Sequence, residues 1–285
     1  MRPVCRLITG AALSCALAVP ADAQRRNSGH RSTPPDSTIL PPPTVAAPIA
    51  IGGAPFAWID DASLLPAGAM SVTLSTLVWQ GADLTEVEMP VTNIAVGVTP
   101  RVQVGAIVPY VIGSSDPTGV LGGLGTTFVS AKVAILTGAP SGVKLTVAPT
   151  REILGPGTVQ TLTTGTSPVQ FGLPVSLEIG TRAGKVVASG GFFSDGVWFA
   201  GGGVGGQITP RLGVSVVFSR AWSTDAISAV VHSRNDLTGT AAVALTTRFA
   251  LFASLGTTIA TADQDGAGTT VSGGVLLFLA PVTKR

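Results

Sequence analysis

Between residues 93 and 110 apolar and small or polar positions alternate in two runs. Ile94, Val96 and Val98 point one way and Asn93, Ala95 and Gly97 the other. After Thr99-Pro100-Arg101, the residues Val102, Val104, Ala106, Val108 and Tyr110 share a face opposite Gln103 and Gly105. A period of two belongs to a strand with one apolar face, so this stretch predicts a β-hairpin closed by a tight turn. Thr209-Pro210-Arg211 separates two similar runs, and Arg182-Ala183-Gly184 is a comparable break. Carried along the chain, the pattern predicts twelve strands, over 70–79, 87–98, 102–112, 125–136, 143–150, 169–181, 185–194, 197–208, 212–222, 236–247, 249–260 and 269–279. Most approach the ~9–11 residues that a tilted membrane strand requires.

Connection lengths alternate. Those at 99–101, 137–142, 182–184, 209–211 and 248 are short, while those at 80–86, 113–124, 151–168, 223–235 and 261–268 are longer; the link near 195–196 is the exception. Outer-membrane barrels have short periplasmic turns and longer outside loops. On the sixth strand Val169, Phe171, Leu173, Val175, Leu177 and Ile179 alternate with Gln170, Gly172, Pro174, Ser176, Glu178 and Gly180, one face suited to lipid and the other to a polar interior. Trp79, Tyr110, Trp198 and Trp222 fall at strand ends beside outside connections, and Phe249 and Phe278 near periplasmic ends, the placement of two interfacial girdles.

Composition narrows the reading to a membrane. Of 285 residues 45% are hydrophobic and 11% charged, against roughly 25% charge in soluble domains. After the first 20 residues no uncharged apolar run reaches the ~20 residues of a spanning helix. Only helices and closed barrels satisfy their backbone groups in lipid, so the expected fold is an all-β, antiparallel, up-and-down transmembrane barrel of about 12 strands. Residues 1–23 read as a secretory signal, with Arg2 and Arg6, an apolar 7–19 stretch and Ala21-Asp22-Ala23 before the cut. A lipoprotein signal ending at Cys15 is the weaker alternative. Residues 24–55, with Pro34, Pro35, Pro41, Pro42, Pro43 and Pro48, are expected to be a disordered periplasmic segment, or a plug if they fold back into the lumen. Residues 56–285 form the barrel, with 56–69 as a lead-in to its first strand. Both cysteines, Cys5 and Cys15, lie in the leader, so no disulfide or thiol chemistry is expected afterwards. A net charge of +2 with no basic stretch argues against nucleic acid.

The hairpin over 93–112 and the segments after it resemble a known group. The strand, Thr99-Pro100-Arg101, Pro109-Tyr110, Gly123-Leu124-Gly125, Lys132 and Pro149-Thr150 are similar to the pattern of bacterial outer-membrane barrels assigned as transporters of phenol meta-cleavage pathways, distant neighbours of the long-chain fatty-acid channel. Thr126 and Arg151 depart from the usual Asp and Gly, and Thr283-Lys284-Arg285 lacks the usual terminal aromatic. The resemblance covers about 60 residues and its motifs are structural; it implies a barrel that passes small solutes.

Charges on the inner face are few: Lys132, Lys144, Glu178 and Lys185, all near periplasmic turns. They read as a buried ion-pair network that closes a narrow barrel, or as a selectivity ring. The sixth strand's Glu178 is expected to anchor the lysines. Otherwise that face is Ser, Thr, Gly and Ala, including Ser71, Thr73, Ser75, Thr146, Ser176, Ser215, Ser219, Thr238 and Thr240. No enzyme is expected: His232 and Ser233 are adjacent and point apart on an extended chain, and the run Gly201–Gly206 has no Lys-Ser/Thr of a phosphate loop. Two histidines, His30 and His232, are too few for a His-based metal cluster, and neither a metal nor a cofactor is expected. The leading expectation is an outer-membrane channel for passive passage of small, apolar or aromatic solutes, with the lipid bilayer and the barrel-assembly machinery as partners. An adhesin or structural barrel acting through the 151–168 loop is the alternative; a β-solenoid is disfavoured because no repeat of ~20–30 residues appears.

Overall fold

A computed structural model describes residues 59–81, 85–116, 119–120, 122–138, 142–155, 169–181, 184–194, 196–223, 233–261 and 267–280. Among them lie twelve strands. These are β1 Met70–Gln80, β2 Thr85–Thr99, β3 Val102–Asp116, β4 (Gly123–Leu124 and Thr127–Leu136), β5 (Val143–Val147 and Thr150–Ile153), β6 (Val169–Gly172 and Val175–Gly180), β7 Gly184–Phe192, β8 Val197–Gln207, β9 Leu212–Ser223, β10 Ser233–Ala244, β11 Phe249–Thr261 and β12 Thr269–Leu279. A short Gly119–Val120 segment folds back on the end of β3. Each strand pairs antiparallel with its sequence neighbours, and β12 returns to β1 in an unbroken register from Met70↔Leu279 to Gln80↔Thr269. Closure leaves no unpaired edge.

The faces are inverted relative to a water-soluble protein. On β6, Phe171 is 60% exposed and Leu173 51%, while Ser176 and Glu178, on the opposite face, are 4% and 2% exposed. The same exchange runs round the barrel, with Val204, Val216, Leu255 and Val271 outside and Thr146, Ser189, Ser215, Ser254 and Ser272 inside. An exterior of branched aliphatics and an interior of hydroxyls suits a hydrocarbon surround, because the polar atoms find partners inward. Ser176 and Ser189, paired across β6 and β7, share a hydroxyl hydrogen bond of 3.1 Å, and Ser254 bonds Ser272 across β11 and β12 in the same way.

Two ladders break where proline cannot donate. Pro149 divides β5 and Pro174 divides β6; Ala131 N–H donates to Pro149 O at 3.1 Å and Ala148 N–H to Pro174 O at 2.8 Å across the gap. The fifth strand therefore resumes at Thr150 and runs to Ile153, past its expected end.

At one end the turns are tight and share one chemistry. Thr99 Oγ1 accepts from Arg101 N–H, Thr209 Oγ1 from Arg211 N–H and Thr246 Oγ1 from Arg248 N–H, at 3.1–3.2 Å. Thr181 Oγ1 accepts from Gly184 N–H in the same way. The hydroxyl supplies the local acceptor that a tight turn needs. The third of these corrects the expected tenth strand, 236–247: Thr246 closes a turn, so the strand occupies Ser233–Ala244.

Candidate functional site

Residues 59–69, expected as a lead-in, instead run through the barrel lumen. Going backwards from β1, Gly68 N–H donates to Gly97 O of β2 at 2.7 Å and Gly97 N–H to Ala69 O at 2.9 Å. Leu65 N–H donates to Gln103 Oε1 of β3 at 2.8 Å. Ser63 Oγ donates to Glu178 of β6 (2.9 and 3.0 Å to the two oxygens), and accepts from Lys144 Nζ of β5 at 3.0 Å. Asp60 pairs with Lys132 of β4 and Asp61 with Lys185 of β7. Ile59, fully buried, enters a cluster with Val187, Phe193, Phe199 and Val217. The segment thus contacts lumen-side residues from β2 round to β9.

Glycine makes room for it. A Cβ on Gly97 would sit 2.6 Å from Leu65 O and 2.8 Å from Pro66 C, and one on Gly201 would sit 2.6 Å from Ile59 Cδ1. At Gly201 the glycine-rich run of β8 permits this close approach.

Of the four lumen charges, Lys144, Glu178 and Lys185 lie together. Lys144 Nζ lies 2.7 Å from Glu178 Oε1, and Lys185 Nζ 3.7 Å from Glu178 Oε2. Lys132 departs from the expectation: its ion pairs are with Asp60 and, at 4.0 Å, Asp61, and it donates to Asp61 O at 3.0 Å. Sequence reasoning missed both aspartates and Ser63, because nothing local marks a loop-like Asp-Asp as lumenal. Their presence changes the electrostatics. Three ammonium groups now face three carboxylates, rather than Glu178 alone. With the Glu178 and Lys132 side chains 3% and 8% exposed, that balance is what makes the burial tolerable.

Of the six aromatic girdle residues, Tyr110 and Trp198 are exposed on the exterior, at 48% and 42%. Trp222 and Phe249 share the exterior face with Phe218 and Leu251 respectively. Trp79 and Phe278 correct the expectation. Trp79 is 9% exposed and packs inward on Leu77 and Val91; the open space at Gly268, where a Cβ would meet the indole at 2.6 Å, admits the ring. Phe278 pairs with Ser71 and shares the lumen face of Ser272. His232, the expected plug in 24–55, and all of 156–168 lie outside the described residues.

Near the long-loop end the lumen carries a second polar group. Arg234 Nε donates to Asp236 Oδ1 at 2.9 Å, and Thr258 Oγ1 donates to the same oxygen at 2.7 Å. The resemblance motifs also find partners: Gly125 N–H donates to Pro109 O at 2.9 Å and Tyr110 pairs with Leu124, so two of them are halves of one contact.

A closed twelve-strand antiparallel barrel with an apolar exterior and a polar lumen defines the class: the fold of outer-membrane porins and channels. Among solved structures, the COG4313 outer membrane channel from Pseudomonas putida F1 is similar with a TM-score of 0.61 at 14% identity, over 77% of this chain and 98% of that one. The NanC porin gives 0.55 at 9% identity, over 72% and 98%. The KdgM porin, solved with disordered oligogalacturonate, gives 0.51 at 10%, over 73% and 98%. At these identities the likeness is one of fold. No protein-family model matches the chain, and no curated protein matches it significantly.

Because Gly97 receives the internal segment, Gly97→Ala is expected to loosen it. Ala62, 1% exposed, can be replaced by Cys as a reporter, since the only native cysteines are Cys5 and Cys15. A water-soluble maleimide should label Ala62→Cys slowly in the native barrel and at least about ten-fold faster beside Gly97→Ala, as local opening replaces burial. Equal rates would show that the segment does not dock on Gly97.

Proposed function

We propose that this protein is an outer-membrane channel for passive passage of small, apolar or aromatic solutes, with residues 59–69 as its internal constriction. The observation that carries the reading is the segment itself: a stretch of chain threaded through a closed barrel and held by side chains from successive strands. The side chains beside it support the solute class. Phe199, Val187, Val217 and Phe193 surround Ile59, and Leu77, Trp79 and Val91 form a second apolar wall, with hydroxyls such as Thr146, Ser215 and Ser254 also on the lumen face. An apolar ring with few polar groups is the usual lining of a site for small organic molecules. Membership of the phenol meta-cleavage transporters is part of this proposal, as are cleavage of the leader near Ala23, a periplasmic tight-turn end, assembly by the barrel machinery and the absence of catalysis.

Single-channel recording in planar bilayers tests it. The native protein should show low conductance, and Asp60→Asn with Asp61→Asn should raise it severalfold by releasing two of the anchors. Liposomes should take up a small aromatic alcohol faster than an equal-sized sugar. A barrel with no solute flux in either state would sink the channel reading.

A further inference from the structure

On the barrel exterior, charge is confined to two residues among the described strand side chains. Both are arginines: Arg151 on β5, two residues before that strand's end at Ile153, and Arg220 on β9, three before Ser223. Both are exposed, and both lie at the long-loop end. Each neighbours Thr150 and Glu152, or Ser219, which turn inward and are buried. Neither arginine has an ion pair among the described residues. Each guanidinium instead lies over an aromatic ring, Arg151 Cζ 5.3 Å from the Phe171 centroid and Arg220 Cζ 5.8 Å from that of Trp222. Arg220 also lines an open surface groove of about 660 Å³ with Ala200, Gly201, Phe218, Trp222 and Ser233.

A cation on a lipid-facing surface is unfavourable near the midplane and tolerated close to the interface. These two sit where their long stems can carry the charge to the headgroups. Sign and position then indicate the partner. Two cations at one end, with no compensating acid on that face among the described residues, call for an anion supplied by the leaflet there. The guanidinium binds phosphate oxygens through paired N–H donors, and stacking on a ring holds its plane in place.

We propose that Arg151 and Arg220 bind the phosphate groups of the phosphorylated glycolipid of the outer leaflet, with the groove beside Phe218 taking the adjoining part of that lipid. The inference rests on the outer-membrane orientation and not on solute flux, so it stands or falls separately from the channel reading.

The test is native mass spectrometry of the full-chain protein in detergent, titrated with bis-phosphorylated lipid A, its dephosphorylated form and phosphatidylglycerol. Bis-phosphorylated lipid A should bind best. Arg151→Gln and Arg220→Gln should each weaken their site about ten-fold, as loss of a charge-assisted hydrogen-bonded pair does. The Lys variants should retain part of the affinity. Heat-modifiable gel mobility of each variant confirms that the barrel is folded. Unchanged lipid A binding in the double Gln variant, or equal binding of the dephosphorylated form, would overturn the proposal. Equal retention of phosphatidylglycerol would overturn the assignment to the glycolipid.

Discussion

Glu178→Gln is expected to destabilise the barrel by about 3–5 kcal/mol, the cost of removing one partner from a buried ion pair. Glutamine preserves the shape and one acceptor, so the loss is that of the charge. Lys185 would keep Asp61, and Lys132 would keep Asp60 and Asp61. Lys144 would keep only neutral acceptors among the described residues, Ser63 Oγ and the glutamine amide oxygen, and it is this ammonium whose charge becomes uncompensated. Lys185→Met should therefore cost less, because Asp61 retains Lys132 and Glu178 retains Lys144. The double variant Glu178→Gln, Lys144→Met should recover most of the loss, since removing both charges spares the orphan. Unfolding monitored by heat-modifiable mobility reads the stabilities, and the reversal potential across a salt gradient reads selectivity, which should move toward anions. A Glu178→Gln barrel with the native unfolding midpoint and ion preference would show that the pair contributes nothing.

The strands were legible because lipid outside and hydroxyls inside impose a period of two that nothing else in the chain mimics. Where the structure departs, the cause is non-local. Nothing in Ile59-Asp60-Asp61-Ala62-Ser63 has strand or helix periodicity, and its partners Lys132, Glu178 and Lys185 lie more than 70 positions away. The unpaired excess of lysine on the lumen face was the one available hint: three ammonium groups and a single carboxylate would have been costly to bury, so further acids had to arrive from elsewhere. Trp79 and Phe278 were misread because strand-end position says how deep an aromatic lies and not which way it faces. Parity with Ser71, Thr73 and Ser75 would have turned Trp79 inward. The Thr246 turn was hidden because Thr247 stands where Thr99 and Thr209 are followed by proline.

Val175→Arg tests the assignment of faces, and the structure alters the proper control. Val175 is 38% exposed near the middle of β6, on the exterior with Leu173 and Leu177. A lipid-facing arginine there should cost about 2–4 kcal/mol if the site lies near the midplane. Ser176 is the obvious comparison, but it is 4% exposed and bonded to Ser189. Arginine at Ser176 would be overpacked, and overpacking alone costs about 1–3 kcal/mol, so both variants would suffer for different reasons. Asn93 is the better control. It pairs with Thr73 of β1 and Ile107 of β3 on the lumen face, yet is exposed, so that part of the lumen has space. Asn93→Arg should change stability by less than about 1 kcal/mol, as a surface substitution into water does. Refolding into vesicles, with denaturant midpoints for the three variants, gives the ranking. Val175→Arg and Ser176→Arg should both fall well below the native protein and Asn93→Arg should not. If Val175→Arg unfolds with the midpoint of Asn93→Arg, the exterior of β6 does not face hydrocarbon.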